Sequence, residues 1–120
     1  MIEPAEVRAL LAERRREAEH RLAGTSAERA AVVSAARESA TDDEHDPEGS
    51  TIAYERGMLD VLAGRLRQTL ADVDLAERRL ERGEYQVCER CGGPIADDRL
   101  RALPTVRTCR ECAGRSPGRS

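Results

Sequence analysis

The sequence predicts a mostly α protein: an antiparallel coiled-coil helical hairpin followed by a small four-cysteine module. Three observations predict it. An apolar residue recurs every seven positions over 51–82. A second amphipathic stretch precedes it across a short polar link. The last third is interrupted by Gly and Pro and holds all four cysteines.

Composition supports this class and excludes others. Aromatics make up 2% of the 120 residues, with no Trp, no Phe and two Tyr, too few to fill a sandwich, barrel or open α/β core. Abundant Ala, Leu, Glu and Arg suit long helices with narrow apolar seams.

Residues 4–38 form the first predicted helix, with Pro4 in its first turn. Val7, Leu11, Ala18, Leu22 and Val33 share one face. Gly24-Thr25-Ser26 is a soft point, where Thr25 and Glu28 match a capping box for a helix restart. One bent helix is favoured over two.

The second predicted helix carries the heptad line Ile52, Leu59, Leu66, Val73 and Leu80, flanked by Leu62, Leu70 and Ala76. Asp46 suits the N-cap, Pro47 the first helical position and Gly83 the stop. Two helices of about 35 residues with a short link predict an antiparallel pair, about 50 Å long at 1.5 Å per residue. In that register Val33 faces Ile52, Leu22 faces Leu62 and Leu11 faces Val73, so paired numbers sum to about 85. The alternative is pairing with a second chain; the intramolecular hairpin of a monomer is preferred.

Charge is unevenly placed. The net charge of −3 is the balance of 20 Arg and 23 acids. Segments 1–39 and 51–82 are neutral, 83–120 has seven Arg against five acids, and 40–50 holds Asp42, Asp43, Glu44, Asp46 and Glu48 with no Arg. One turn therefore supplies the whole acidic surplus. The bland reading is a solvated loop. Placement at the end of a helical arm favours delivery of negative charge to a distant site. The stretch lacks the ligand spacing of an EF-hand.

Cys88-Glu-Arg-Cys91 and Cys109-Arg-Glu-Cys112 are two C-x-x-C pairs separated by 17 residues. Two such pairs supply the tetrahedral thiolate shell that Zn²⁺ prefers. Cys88, Cys91, Cys109 and Cys112 are thus the predicted zinc ligands. Four thiolates leave no open coordination position, so the metal is read as a structural staple and the chain as a non-enzyme. The division is a hairpin over 1–83 with an acidic tip at 41–50, a zinc-finger module at 84–114 and a tail at 115–120. With no apolar run able to span a bilayer and no signal-like start, a cytoplasmic location without membrane association is expected.

Tyr85-Gln-Val-Cys88-Glu-Arg-Cys91-Gly-Gly-Pro94-Ile95, then Arg99-Leu-Arg-Ala-Leu-Pro104, Cys109 and Cys112 resemble the DksA/TraR family of C4-type zinc finger transcription factors. The tip Asp42-Asp-Glu-His-Asp-Pro-Glu-Gly49 is similar to that of the shorter, actinobacterial-type members. The resemblance implies binding to RNA polymerase at its secondary channel. There the tip approaches the catalytic Mg²⁺ and modulates initiation, in some members with the alarmone ppGpp of the stringent response. Asp43 and Asp46 match the two aspartates of the family's Asp-x-x-Asp-x-Ala tip, and Glu48 stands where Ala is expected. Arg78, Arg79, Arg82, Arg99 and Arg101 are the residues implied for polymerase or ppGpp contacts. No sequence-specific DNA binding is expected. The competing reading is a zinc-ribbon nucleic-acid binder using Arg107, Arg110, Arg115 and Arg119, supported by the small basic surplus after residue 83.

Overall fold

The computed structural model describes residues 1–39 and 47–115, with side chains described for 1–38 and 50–115. Four helices follow in order: α1 (Pro4–Ser39), α2 (Pro47–Glu81), α3 (Asp97–Ala102) and α4 (Arg110–Ala113). Among the described residues there is no strand, only an isolated antiparallel bridge between Val87 and Pro94. No described helix is long and apolar enough to cross a membrane. The predicted acidic tip lies outside the described residues, apart from the backbone of 47–50 in the first turn of α2.

Helix α1 runs unbroken through Gly24-Thr25-Ser26. The reason is the Thr25 hydroxyl. It donates back to the Arg21 carbonyl at 2.8 Å instead of capping a new helix, and Thr25 is buried. Helix α2 begins at Pro47, whose missing N–H costs nothing at a first helical position. Its end is a Schellman turn: Gly83 has φ +73°, its N–H donates to the Leu80 carbonyl, and the Glu84 N–H donates to the Arg79 carbonyl at 2.8 Å. A residue with a Cβ at Gly83 would be strained there.

The chain divides into two compact units. In Arg16–Leu70, α1 and α2 lie antiparallel, with Ala18, Thr25, Ala63 and Leu66 buried and the Arg29 guanidinium bonded to the Asp60 carboxylate. The seam here is lean, and Leu22, Leu59 and Leu62 are only half-buried.

The other unit joins Met1–Arg15 to Ala71–Ser120. Arg15 Nη2 reaches Asp74 Oδ1 at 2.6 Å and Glu77 Oε1 at 3.0 Å. The pairs 15/74 and 29/60 share the sum 89, about one helical turn from the 85 expected for apolar positions. The core of this unit draws on three stretches of chain. Ile2, Val7 and Leu11 come from the start, Val73 and Ala76 from α2, and Tyr85, Cys88, Ile95, Leu100 and Cys112 from the cysteine module. Burying aliphatic side chains of this size stabilises by about 1.5–3 kcal/mol each. The module therefore borrows apolar surface from both long helices, and its shortage of aromatics ceases to be a problem.

Candidate metal centre

The first knuckle is built on the exit from α2. After the Gly83 turn the chain enters Tyr85, which is almost fully buried, and its hydroxyl donates to the Pro104 carbonyl at 2.7 Å. Burial pushes the Tyr85 phenol up to about 12. The Cys88 N–H donates to the Gly93 carbonyl at 2.8 Å, and the Gly92 N–H returns to the Cys88 carbonyl at 2.9 Å. Gly92 sits at φ +73°, and a Cβ on Gly93 would stand 3.3 Å from Cys91 Sγ. The backbone of Gly92 thus favours glycine outright, and a side chain at Gly93 would press on the Cys91 sulfur. The Gly93 N–H points at Cys91 Sγ, 3.4 Å away.

The second knuckle opens α4, with Cys109 preceding its first residue and Cys112 inside it. Arg99, on α3, donates from Nε to the Thr108 carbonyl at 3.0 Å and fixes the approach to Cys109. Arg90, inside the first C-x-x-C loop, donates from Nη1 to the Cys112 carbonyl at 3.1 Å. It ties one knuckle to the other. The sequence reading passed over Arg90; a cation inside a C-x-x-C loop was the available signal.

All four sulfurs lie within 4.8 Å of one another, and none is in a disulfide. Cys91 Sγ and Cys109 Sγ are 3.8 Å apart. A tetrahedron with metal–sulfur bonds of about 2.3 Å has edges of about 3.8 Å, so the donor set fits Zn²⁺ in type and spacing. Cys88 and Cys112 are buried, Cys109 is half-buried and Cys91 is exposed. Cys88 is lowered to about 6, chiefly by the Cys91 backbone N–H, with help from those of Cys109 and Arg90. Cys112 is pushed up to about 12 by its hydrogen bond with the Cys109 thiol and by burial.

The predicted arginines separate. Arg78 and Arg82 are exposed on the last turns of α2, with no ion-pair partner among the described residues. Arg101 is occupied by Glu6, Nε to Oε2 at 2.7 Å. Arg99 is half-buried on the Thr108 carbonyl. Arg79 is buried at 8% exposure and faces the first knuckle, not solvent. Of the basic residues in the competing reading, Arg107, Arg110 and Arg115 are exposed and Arg119 lies outside the described residues. Asp42, Asp43 and Asp46 also lie outside them, as does the side chain of Glu48.

Comparison with known proteins bears on this site directly. Residues 83–117 match the family model of the prokaryotic dksA/traR C4-type zinc finger. An uncharacterized protein of Aquifex aeolicus is 40% identical over 62 residues, covering 52% of this chain and 43% of that protein. The uncharacterized protein YteA of Bacillus subtilis is 36% identical over 69 residues, covering 58% of this chain and 29% of YteA. The chain thus spans less than half the length of either curated relative. Among solved structures, transcription factor DksA2 from Pseudomonas aeruginosa superposes with a TM-score of 0.76 at 26% identity, over 92% of this chain and 79% of that one.

Proposed function

We propose that this chain, whose residues 83–117 match the dksA/traR C4-type zinc finger and whose fold is similar to that of transcription factor DksA2, is a zinc-containing regulator of the DksA/TraR type that binds RNA polymerase and acts on transcription initiation through its acidic segment. The observation that carries the reading is a pairing of two features in one chain. The four sulfurs cluster in a unit whose core also holds Ile2, Val7, Leu11, Val73 and Ala76, and residues 40–50, between the two long helical stretches of the sequence, hold five acids and no Arg.

Zn²⁺, held by Cys88, Cys91, Cys109 and Cys112, supplies structure: four thiolates fill its shell and leave no position for substrate. The chain's own residues do the rest. Ile2, Val7 and Leu11 on one side and Val73 and Ala76 on the other seat the helix ends on the cysteine module. Arg78 and Arg82 stand free to meet an anionic surface of polymerase or the phosphates of ppGpp, whereas Arg99 and Arg101 are engaged with the Thr108 carbonyl and Glu6. Asp43 and Asp46 are the acting tip residues. Carboxylates held near a bound divalent cation compete for it or reshape its field, which is the physical route from binding to regulation. Entry of the tip through the secondary channel is part of this proposal, carried over from the resemblance.

The test is promoter-dependent transcription with purified polymerase, paired with a direct binding measurement. Asp43→Asn combined with Asp46→Asn abolishes regulation and leaves binding within about twofold, since neither residue anchors the module. Wild-type regulation by the double variant overturns the tip assignment. Failure of the zinc-loaded wild-type chain to bind polymerase overturns the whole reading. A crosslinker placed at residue 46 reports which polymerase subunit the tip meets.

A further inference from the structure

We infer that Arg79 is a positioning residue of the metal centre: from the last turns of α2 it brackets Cys88 on both sides and holds its backbone ready for the ion. The inference rests on the reading of the four cysteines as a zinc site.

Arg79 is a charged residue buried to 8% exposure, and such burial is tolerated only where the guanidinium is satisfied. Its Nη2 donates to the Val87 carbonyl at 2.6 Å and to the Glu84 carbonyl at 3.1 Å. The Val87 carbonyl belongs to the peptide that leads into Cys88. On the far side, Arg79 Nη1 lies 3.7 Å from Glu89 Oε2, the carboxylate of the residue that follows Cys88. Glu89 is steadied in turn by Arg107, whose Nε is 3.8 Å from the same oxygen and whose carbonyl accepts the Glu89 N–H at 2.9 Å. One planar cation thus grips the residue before the ligand and the residue after it. Cys88 itself is 1% exposed, with its N–H committed to Gly93.

The chemistry of Arg is specific to this task. One terminal nitrogen, Nη2, donates to both carbonyls while the other, Nη1, faces the Glu89 carboxylate, a division that the planar guanidinium fixes. A lysine ammonium could donate to the two carbonyls from one nitrogen, but it has no second nitrogen to set against the Glu89 carboxylate. A helix that ends in a Schellman turn needs no such side chain for its own sake, because Gly83 and Glu84 already satisfy its last carbonyls. The side chain's bonds go forward, to the knuckle. Groups that orient metal ligands in this way typically change metal affinity by about 10–100-fold.

The experiment is a zinc competition titration of the full chain against a chromophoric chelator, with a Co²⁺ titration to read the thiolate absorption. Variants are Arg79→Met, Arg79→Lys and Val73→Ala, the last removing core volume from the same unit without touching a knuckle carbonyl. The expected result is a loss of affinity of about 10–100-fold for Arg79→Met, a smaller loss for Arg79→Lys, and less than about threefold for Val73→Ala despite its lower thermal stability. Equal affinity in wild type and Arg79→Met overturns the inference. So does a loss in Val73→Ala matching that in Arg79→Met, because the effect would then be general destabilisation. Should Arg79→Met fail to fold, Arg79→Lys decides: affinity equal to wild type overturns the inference, and a loss of threefold or more sustains it. If the wild-type chain itself binds no Zn²⁺ or Co²⁺, the zinc reading has failed and not this step alone.

Discussion

The Tyr85 hydroxyl donates to the Pro104 carbonyl at 2.7 Å across a span of 19 residues that contains the whole first knuckle and α3. Both residues are buried. The bond closes the module as a loop, so that the chain leaving α3 returns to the exit of α2. Tyr85→Phe keeps the ring and leaves the Pro104 carbonyl buried without its donor. The expected cost is about 1–2 kcal/mol of stability, measured by chemical denaturation of the zinc-loaded protein. A variant as stable as wild type would mean that the carbonyl finds another partner.

The same phenol predicts an alkaline transition. Its folded pKa, about 12, stands above the ordinary value of 10.0 because burial disfavours the phenolate. The folded state therefore holds the proton more tightly than the unfolded state. Tyr85 contributes its full share of stability below pH 10, and that share is lost as the pH climbs from about 10 to 12. In a Tyr54→Phe background Tyr85 is the sole tyrosine, and the absence of Lys removes the usual competing titration. Tyrosinate absorbance and loss of helical circular dichroism should rise together in that window. Tyrosinate forming well before any structural change would contradict the burial assigned to this residue.

Removal of the metal should act on one unit and spare the other. Cys88 and Cys112 belong to the core that also holds Val7, Leu11 and Val73, whereas Arg16–Leu70 carries no cysteine. Chelation should accelerate amide exchange over 85–113 by orders of magnitude and leave 16–70 little changed. Single ligands should differ in kind. Structural zinc contributes on the order of 12 kcal/mol, about 3 per thiolate, so Cys91→Ser should weaken binding about 100-fold. Because Cys91 is exposed, it should not alter the metal-free state. Cys88→Ser should weaken binding at least as much and also destabilise the metal-free protein, since a hydroxyl replaces a buried thiol. Equal behaviour of the two variants without metal would argue against the shared core.

These contrasts show where sequence reasoning had purchase. Heptad spacing, Pro47, Gly83 and the two C-x-x-C pairs each have a local physical cause, and the structure has α2 beginning at Pro47, Gly83 in the turn just past its last residue Glu81, and the four sulfurs together. The continuity of α1 through Gly24-Thr25-Ser26 turned on one hydroxyl choosing the Arg21 carbonyl over a forward amide, and both choices are compatible with the same letters. Arg79 is harder still. It sits beside Arg78 in a run of helix charges, and a single residue of rotation about the helix axis separates an exposed guanidinium from one buried against Val87. Helix α4 was not anticipated, because four residues with no side-chain cap carry no periodic signal. Ile2 gave no hint of its depth, since its burial depends on contacts with residues 85 and beyond, including the Gln86 side chain that donates to its carbonyl at 3.2 Å.

The antiparallel register makes a last prediction that composition cannot supply. Arg29 and Asp60 bond across the lean part of the seam, where Leu22, Leu59 and Leu62 are only half-buried. Both charged side chains are substantially exposed, so the pair is worth less than about 1 kcal/mol, and Arg29→Asp alone should lower stability by about that much through like-charge contact. Adding Asp60→Arg restores an opposite pair in the same geometry, and the double variant should recover most of the loss. A thermal-melt cycle of the four proteins at low salt isolates the coupling, which should shrink as salt is raised. A double variant no more stable than Arg29→Asp would show that residues 29 and 60 do not meet in solution. The register sum of 89 shared with Arg15 and Asp74 would then lose one of its two supports.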